Sequence, residues 1–165
     1  MQQIDAKKKN IVIVGAGFGG ITATLKLAKK MRGLLTNYQI ILIDRHHHQL
    51  YTPALYEIAT IPTEIATDNT LKTSVLIPID DMVTKRPIIF LCDELQGLNA
   101  AKKELLLKKT GTLSYEFLVL ALGSETNYFG VAGAQEHTLD LKSLDDAKRI
   151  KNHIVESFED AETAA

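Results

Sequence analysis

The residues of this chain whose types and spacing suit specific chemistry are Gly15, Gly17 and Gly20, together with a carboxylate at Asp44. The glycines lie in IVIVGAGFGG, positions 11 to 20, and fill the places of G-x-G-x-x-G between a β-branched apolar run and a helical pattern. Gly15 permits a tight turn off a strand. Gly17 lets the backbone approach a pyrophosphate with no Cβ in the way, and Gly20 lets the helix pack close to the sheet. Backbone N–H groups around Phe18 and Gly19, backed by the positive end of the helix dipole, then favour an anionic ligand. Asp44 lies twenty-four positions beyond Gly20, close to where the fingerprint expects an acid that accepts from an adenosine ribose hydroxyl. This is the chemistry of dinucleotide recognition, and no spacing in the chain marks a nucleophile or an acid–base pair.

The elements that must position these residues are legible as patterns. Ile11 to Val14 read as a buried strand. From Ile21 onward, Ile21, Leu25 and Ala28, supported by Leu27 and Met31, recur at helical spacing; Thr22, Lys26, Lys29 and Lys30 cover the other face, and Gly33 follows as a stop. Gln39 to Ile43 form a second strand ending at Asp44. Pro53 opens a helix carrying Leu55, Tyr56, Ile58 and Ala59 that Pro62 ends, and a short helical piece runs from about Pro78 to Val83. Strand-like runs at Ile88 to Cys92, Leu95 to Leu98 and Glu104 to Lys108, followed by a turn at Gly111, predict a small β-meander inserted in a parallel sheet, with Leu95 opening its second strand. Phe117 to Leu122, FLVLAL, reads as a fully buried strand that ends at Gly123-Ser124. Ligands of open α/β sheets sit beyond the carboxyl ends of the strands, so Gly15, Asp44 and Gly123 are expected to face one crevice. A last helix is predicted over Ser143 to Phe158, with Ser143 and Asp146 as a capping box and an apolar stripe at Leu144, Ala147, Ile150, Ile154 and Phe158.

Composition narrows the class. A chain of 165 residues suits one domain, and nineteen basic residues against twenty acidic ones give no electrostatic footprint for nucleic acid or an acidic lipid surface. Lys7 to Lys9 followed by an apolar run resemble a leader, but four glycines interrupt that run and no stretch nears the roughly eighteen apolar residues of a membrane span, which predicts a cytoplasmic location. Cys92 is the single cysteine, so an internal disulfide or C-x-x-C pair is excluded and it reads as a small buried hydrophobe. His46, His47 and His48 are adjacent and have no second cluster at ligand spacing, so no metal is expected.

NIVIVGAGFGG, LIDRHHHQLYTPALYEIAT, YEFLVLALGSETNYFGVAG and DLKSLDDAKRIKNHI together resemble the amino-terminal part of type II NADH dehydrogenases, flavoproteins with two dinucleotide-binding domains. The resemblance implies a Rossmann-like FAD/NAD(P)-binding fold, incomplete, in which residues 1–165 are the FAD-binding domain. In that family the first fingerprint holds FAD and not NADH. By resemblance, Gly15, Ala16, Gly17, Phe18, Gly19 and Gly20 hold its pyrophosphate, Asp44 and Arg45 flank the adenosine ribose, and Gln49 is a further contact nearby. The segment around Pro53 borders the flavin, the Leu95 backbone meets adenine, and Ala121, Leu122 and Gly123 match the Ala-Thr-Gly turn beside the flavin. Leu122 replaces that threonine and removes a hydroxyl donor.

The family continues into a second glycine fingerprint for NADH and then into amphipathic helices that dock on the membrane. The resemblance therefore implies a parent more than twice as long, peripheral to the inner face of the plasma membrane and compatible with a homodimer, that passes electrons from NADH through FAD to a quinone. Two other readings stay open: a sulfide:quinone oxidoreductase, which needs redox cysteines, and a catalytically silent flavin- or nucleotide-binding module.

Overall fold

The computed structural model describes residues 3–31, 33, 35–62 and 67–164. The chain forms two compact units, one from Met1–Gln49 with Pro78–Gly123 and one from Leu50–Ile77 with Ser124–Ala165.

The first unit is built on four parallel strands, β1 (Lys9–Val14), β2 (Tyr38–Asp44), β5 (Ile88–Cys92) and β9 (Phe117–Leu120), in the order β5-β2-β1-β9. Helix α1 (Phe18–Lys30) connects β1 to β2, and helix α4 (Ile79–Val83) precedes β5. Because side chains alternate across a strand, the β-branched runs of β1 and β2 split between two faces. Ile11, Ile13, Ile40 and Leu42 meet Ile21 and Ala28 of α1 with Ile79 and Val83 of α4. Val12, Val14, Ile41 and Ile43 meet Leu105, Leu107 and Leu113 on the other side. Those leucines belong to an antiparallel sheet of three strands, β6 (Leu95–Asn99), β7 (Glu104–Leu107) and β8 (Gly111–Ser114), in that order. Each fully buried Ile, Leu or Val on either face stabilises the unit by about 1.5–3 kcal/mol relative to exposure.

The meander therefore exists, but with different members from those the patterns predict. Ile88–Cys92 pairs in parallel with β2, Ile40 opposite Ile88 through Asp44 opposite Cys92, so Leu95 opens the first meander strand rather than the second. The missing member is β8, whose GTLS sequence carries too few apolar residues to be seen as a strand. The run FLVLAL is not fully buried: β9 lies at the edge of the sheet, and Phe117, Leu120 and Leu122 are all at least half exposed.

The second unit contains a short 3-10 turn at Thr52–Ala54, helices α2 (Leu55–Thr60), α3 (Asp68–Val75), α5 (Ala134–His137) and α6 (Leu144–Thr163), and a core of Leu55, Ile58, Leu71, Val75 and Ala147 among others. Two short strands, β3 (His48–Leu50) and β4 (Leu76–Pro78), form a two-stranded sheet. The predicted capping box of α6 is present: the Asp146 N–H donates to Ser143 Oγ at 3.1 Å, and the Ser143 N–H donates to Asp146 Oδ2 at 2.9 Å. Its apolar stripe is buried only over the first turns. Ala147 is fully buried and Leu144 and Ile150 pack on the core, whereas Ile154 is exposed and Phe158 is 71% exposed. Tyr56 of α2 likewise faces solvent. Helix α3 has no counterpart in the sequence reading, because Leu71 and Val75 are the only apolar residues of its eight.

Candidate dinucleotide site

The turn after β1 is fixed by its neighbours. The Gly15 N–H donates to the Ile43 carbonyl at 2.8 Å, and the Ala121 N–H donates to the Val14 carbonyl at 2.8 Å, so the carboxyl ends of β2, β1 and β9 are tied side by side. Gly15 has φ of +101°, a region that L side chains rarely adopt, and an added Cβ would strike the Ala121 carbonyl, whose carbon stands 2.7 Å away. A Cβ on Gly20 would strike the Gly15 carbonyl oxygen and come within 3.4 Å of Ala121 Cβ. Gly17 and Gly19 differ: a Cβ on either meets nothing within 4 Å. Gly15 thus makes the turn and Gly20 the close packing, while Gly17 has open space beside it. Gly17 is the N-cap of α1, with no side-chain capping bond and no acidic residue in the first helical turn, so the local field favours an anion.

Asp44 ends β2 beside this turn. Its Oδ2 accepts from the Ala16 N–H at 2.7 Å and its Oδ1 from the His46 N–H at 2.9 Å, with His46 Nδ1 3.5 Å from Oδ1. A largely buried carboxylate and the glycine turn are therefore joined by a charge-assisted hydrogen bond. Arg45 next to it is exposed, and its carbonyl accepts from Cys92 Sγ at 3.5 Å. Cys92 is only partly buried, against the α1 side of the sheet. The three histidines have packing roles: His46 stacks on His48 at 5.4 Å, and His47 meets Phe90 edge-on at 6.0 Å. Burial lowers the His48 pKa and His46 adds to that, while Asp44 opposes it.

The Asp93 N–H donates to the Asp44 carbonyl at 2.9 Å, which brings the start of β6 to the same strand end. Leu95 is half-buried against the meander side of the sheet, next to a β-bulge between Leu95 and Gly97. Across β1, Ala121, Leu122 and Gly123 continue from β9, with Leu122 64% exposed and Gly123 at φ of +81° in open surroundings. The structure thus gathers Gly15 to Gly20, Asp44, Arg45 and Ala121 to Gly123 at the carboxyl edge of one sheet. Gln49 lies apart from this turn in sequence and is buried in β3.

One residue of this edge escaped the sequence reading. Asp93 is 3% exposed. Burial alone would raise its pKa, but bonds from the Thr110 hydroxyl and from the Lys109, Thr110 and Glu94 N–H groups lower it to about 2. A lone aspartate in a loop has no spacing signal, and its partners besides the adjacent Glu94 lie sixteen and seventeen residues away.

The family described as pyridine nucleotide-disulphide oxidoreductase matches residues 9–162. Among curated relatives, the type II NADH:quinone oxidoreductase of Mycobacterium tuberculosis is 29% identical over 96% of this chain and 32% of its own length. The demethylphylloquinone reductase of Synechocystis is 29% identical over 96% of this chain and 38% of its own. The chain thus spans about a third of the length of these relatives. The fold is that of the sulfide:quinone oxidoreductase of Aquifex aeolicus, with a TM-score of 0.71 at 20% identity over 92% of this chain and 32% of that one. It is equally that of NDH2 from Plasmodium falciparum, with a TM-score of 0.70 at 22% identity over 93% and 30%. With its glycine turn, parallel sheet and nearly full-length match, the chain belongs to the pyridine nucleotide-disulphide oxidoreductase family.

Proposed function

We propose that this chain is the FAD-binding portion, residues 1–165, of an NADH:quinone oxidoreductase. The observation that carries the reading is the division among the glycines: Gly15 and Gly20 are locked against backbone, whereas Gly17 and Gly19 open onto space at the start of α1. The residues fit the cofactor. A pyrophosphate needs close backbone approach and N–H donors, which the turn from Gly15 through Ala16, Gly17, Phe18 and Gly19 to Gly20 offers. Each Asp44 oxygen already accepts one backbone bond and retains a further lone pair for a ribose hydroxyl. Arg45 and Gln49 are assigned to the adenosine side, Leu95 to adenine, and Ala121, Leu122 and Gly123 to the flavin side.

Bound flavin supplies two-electron transfer between NADH and a quinone, and the protein supplies binding, orientation and exclusion of water. NADH and quinone as partners are supported by the names of the relatives. The reading makes the longer enzyme a peripheral protein of the inner face of the plasma membrane, compatible with a homodimer; among the described residues no helix is long and apolar enough to cross a membrane. The sulfide:quinone reading requires a pair of redox cysteines, and Cys92 is the one cysteine of these 165 residues.

Calorimetric titration of FAD into the chain and into Asp44→Ala tests the assignment. Loss of a charge-assisted pair should weaken FAD by about 1.5–3 kcal/mol. Asp44→Asn, which keeps an oxygen for the Ala16 N–H, should recover only part of that. Equal affinity of Asp44→Ala and the parent would refute the ribose assignment.

A further inference from the structure

Asp93 stands at the corner where the chain leaves the parallel sheet for the meander. Its Oδ1 accepts from the Glu94 N–H at 2.8 Å and the Lys109 N–H at 2.9 Å, and its Oδ2 from the Thr110 N–H at 2.8 Å and the Thr110 hydroxyl at 2.7 Å. Its own N–H is bound to the Asp44 carbonyl. One buried carboxylate therefore holds the β7–β8 turn against the entry to β6, and the Asp93 backbone N–H ties that entry to the end of β2.

That arrangement sets the direction of the Leu95 backbone. The Lys108 N–H donates to the Glu94 carbonyl at 3.0 Å, so the following pair, Leu95 opposite Leu107, occupies the non-hydrogen-bonded position of the antiparallel ladder. The backbone polar groups of such a pair point away from each other. The Glu94 C=O points at β7, so the Leu95 N–H of the same trans peptide points away from it, and because β6 is at the edge of its sheet that N–H is directed outward, just before the β-bulge between Leu95 and Gly97.

We propose that Asp93 is a positioning residue for purine recognition, fixing the outward N–H of Leu95 at the angle that reads an adenine edge. The proposal rests on the assignment of Leu95 to adenine. Adenine offers an acceptor at N1 to a backbone N–H, whereas hypoxanthine carries a donor at N1, so that contact becomes repulsive. Asp93 touches neither purine nor flavin and acts through the backbone it holds.

The test is calorimetric titration of the parent chain, Asp93→Asn and Thr110→Val with FAD and with the flavin dinucleotide in which hypoxanthine replaces adenine. The parent should prefer FAD by about tenfold or more. Asp93→Asn should weaken FAD about tenfold and the hypoxanthine form little, so that the preference falls towards one. Thr110→Val, which removes a single donor, should move it the same way by less. Equal weakening of both ligands, with the preference intact in both variants, is the signature of a merely structural role and overturns the proposal. Should Asp93→Asn not fold, the preference of Thr110→Val decides alone, and an unchanged value overturns it. A parent chain that binds both dinucleotides equally, or neither, refutes the adenine assignment itself and the proposal with it.

Discussion

Alanine at Gly20 and alanine at Gly17 are the same chemical change three residues apart, and the structure gives them different consequences. At Gly20 the new Cβ would overlap the Gly15 carbonyl oxygen, lie 2.9 Å from the Gly15 carbonyl carbon and touch Ala121 Cβ. None of the crowding atoms is the free end of a flexible side chain, so relief requires α1 to shift from the sheet. Overpacking of this kind costs typically about 1–3 kcal/mol, and backbone overlap belongs at the upper end. Alanine in place of glycine inside a helix returns about 1 kcal/mol. Gly20→Ala should therefore destabilise the chain by about 2 kcal/mol net, a fall in Tm of roughly 4–8 °C for a chain of this size. At Gly17 the backbone is extended, with φ of −69° and ψ of −172°, and a Cβ meets nothing within 4 Å. Alanine is a poorer N-cap than glycine, so stability should fall there by about 0.5–1 kcal/mol, less than at Gly20. The same Cβ points into the space assigned to a pyrophosphate, so FAD affinity should fall as well. Urea unfolding at constant m and FAD calorimetry on both variants separate the two effects. Gly20→Ala as stable as the parent, or Gly17→Ala binding FAD as well as the parent, would refute the division of roles.

Two further outcomes follow from the same geometry. Asp93 has a folded pKa of about 2 against an ordinary value of 3.8, so its contribution is present above pH 4 and lost as the pH falls towards 2; at 1.36 kcal/mol per unit this is about 2 kcal/mol. Acid unfolding curves of Asp93→Asn should lack that part of the fall in stability between pH 4 and 2, and an unchanged profile would show that the carboxylate is not held as described. The 165-residue polypeptide supplied with FAD should not reduce a soluble quinone with NADH, because its single G-x-G-x-x-G is assigned to FAD and no second fingerprint holds the nicotinamide at reacting distance. Sustained FAD-dependent turnover would make these residues a minimal enzyme.

The cradle was legible in the sequence because its residues are constrained one by one. Gly15 and Gly20 each meet a requirement that only a missing Cβ satisfies, and the helical spacing after them is long enough to be unambiguous. Strand membership was less legible, since periodicity marks a strand without naming its partner. Ile88–Cys92 looks the same whether it pairs with β2 or with β6, and Gly111–Ser114 is too polar to announce itself. The apolar FLVLAL run suggested burial that the edge position of β9 does not give it. The place of Asp44 beside the glycine turn was legible from its distance to the glycines, yet its bond to the Ala16 N–H was not, because side-chain reach across a turn leaves no trace in spacing.

On the proposed assignment, the glycine turn takes FAD in preference to NADH. Both are dinucleotides with an adenosine ribose for Asp44, so the comparison isolates the part of the site built by Ala121 to Gly123 and the segments beyond. Direct titration of the chain with each ligand, followed by displacement of bound FAD with NADH, measures it. The expected result is saturable FAD binding that NADH fails to displace at equal concentration and that Gly17→Ala weakens. NADH binding more tightly than FAD, or displacing it, would contradict an FAD site.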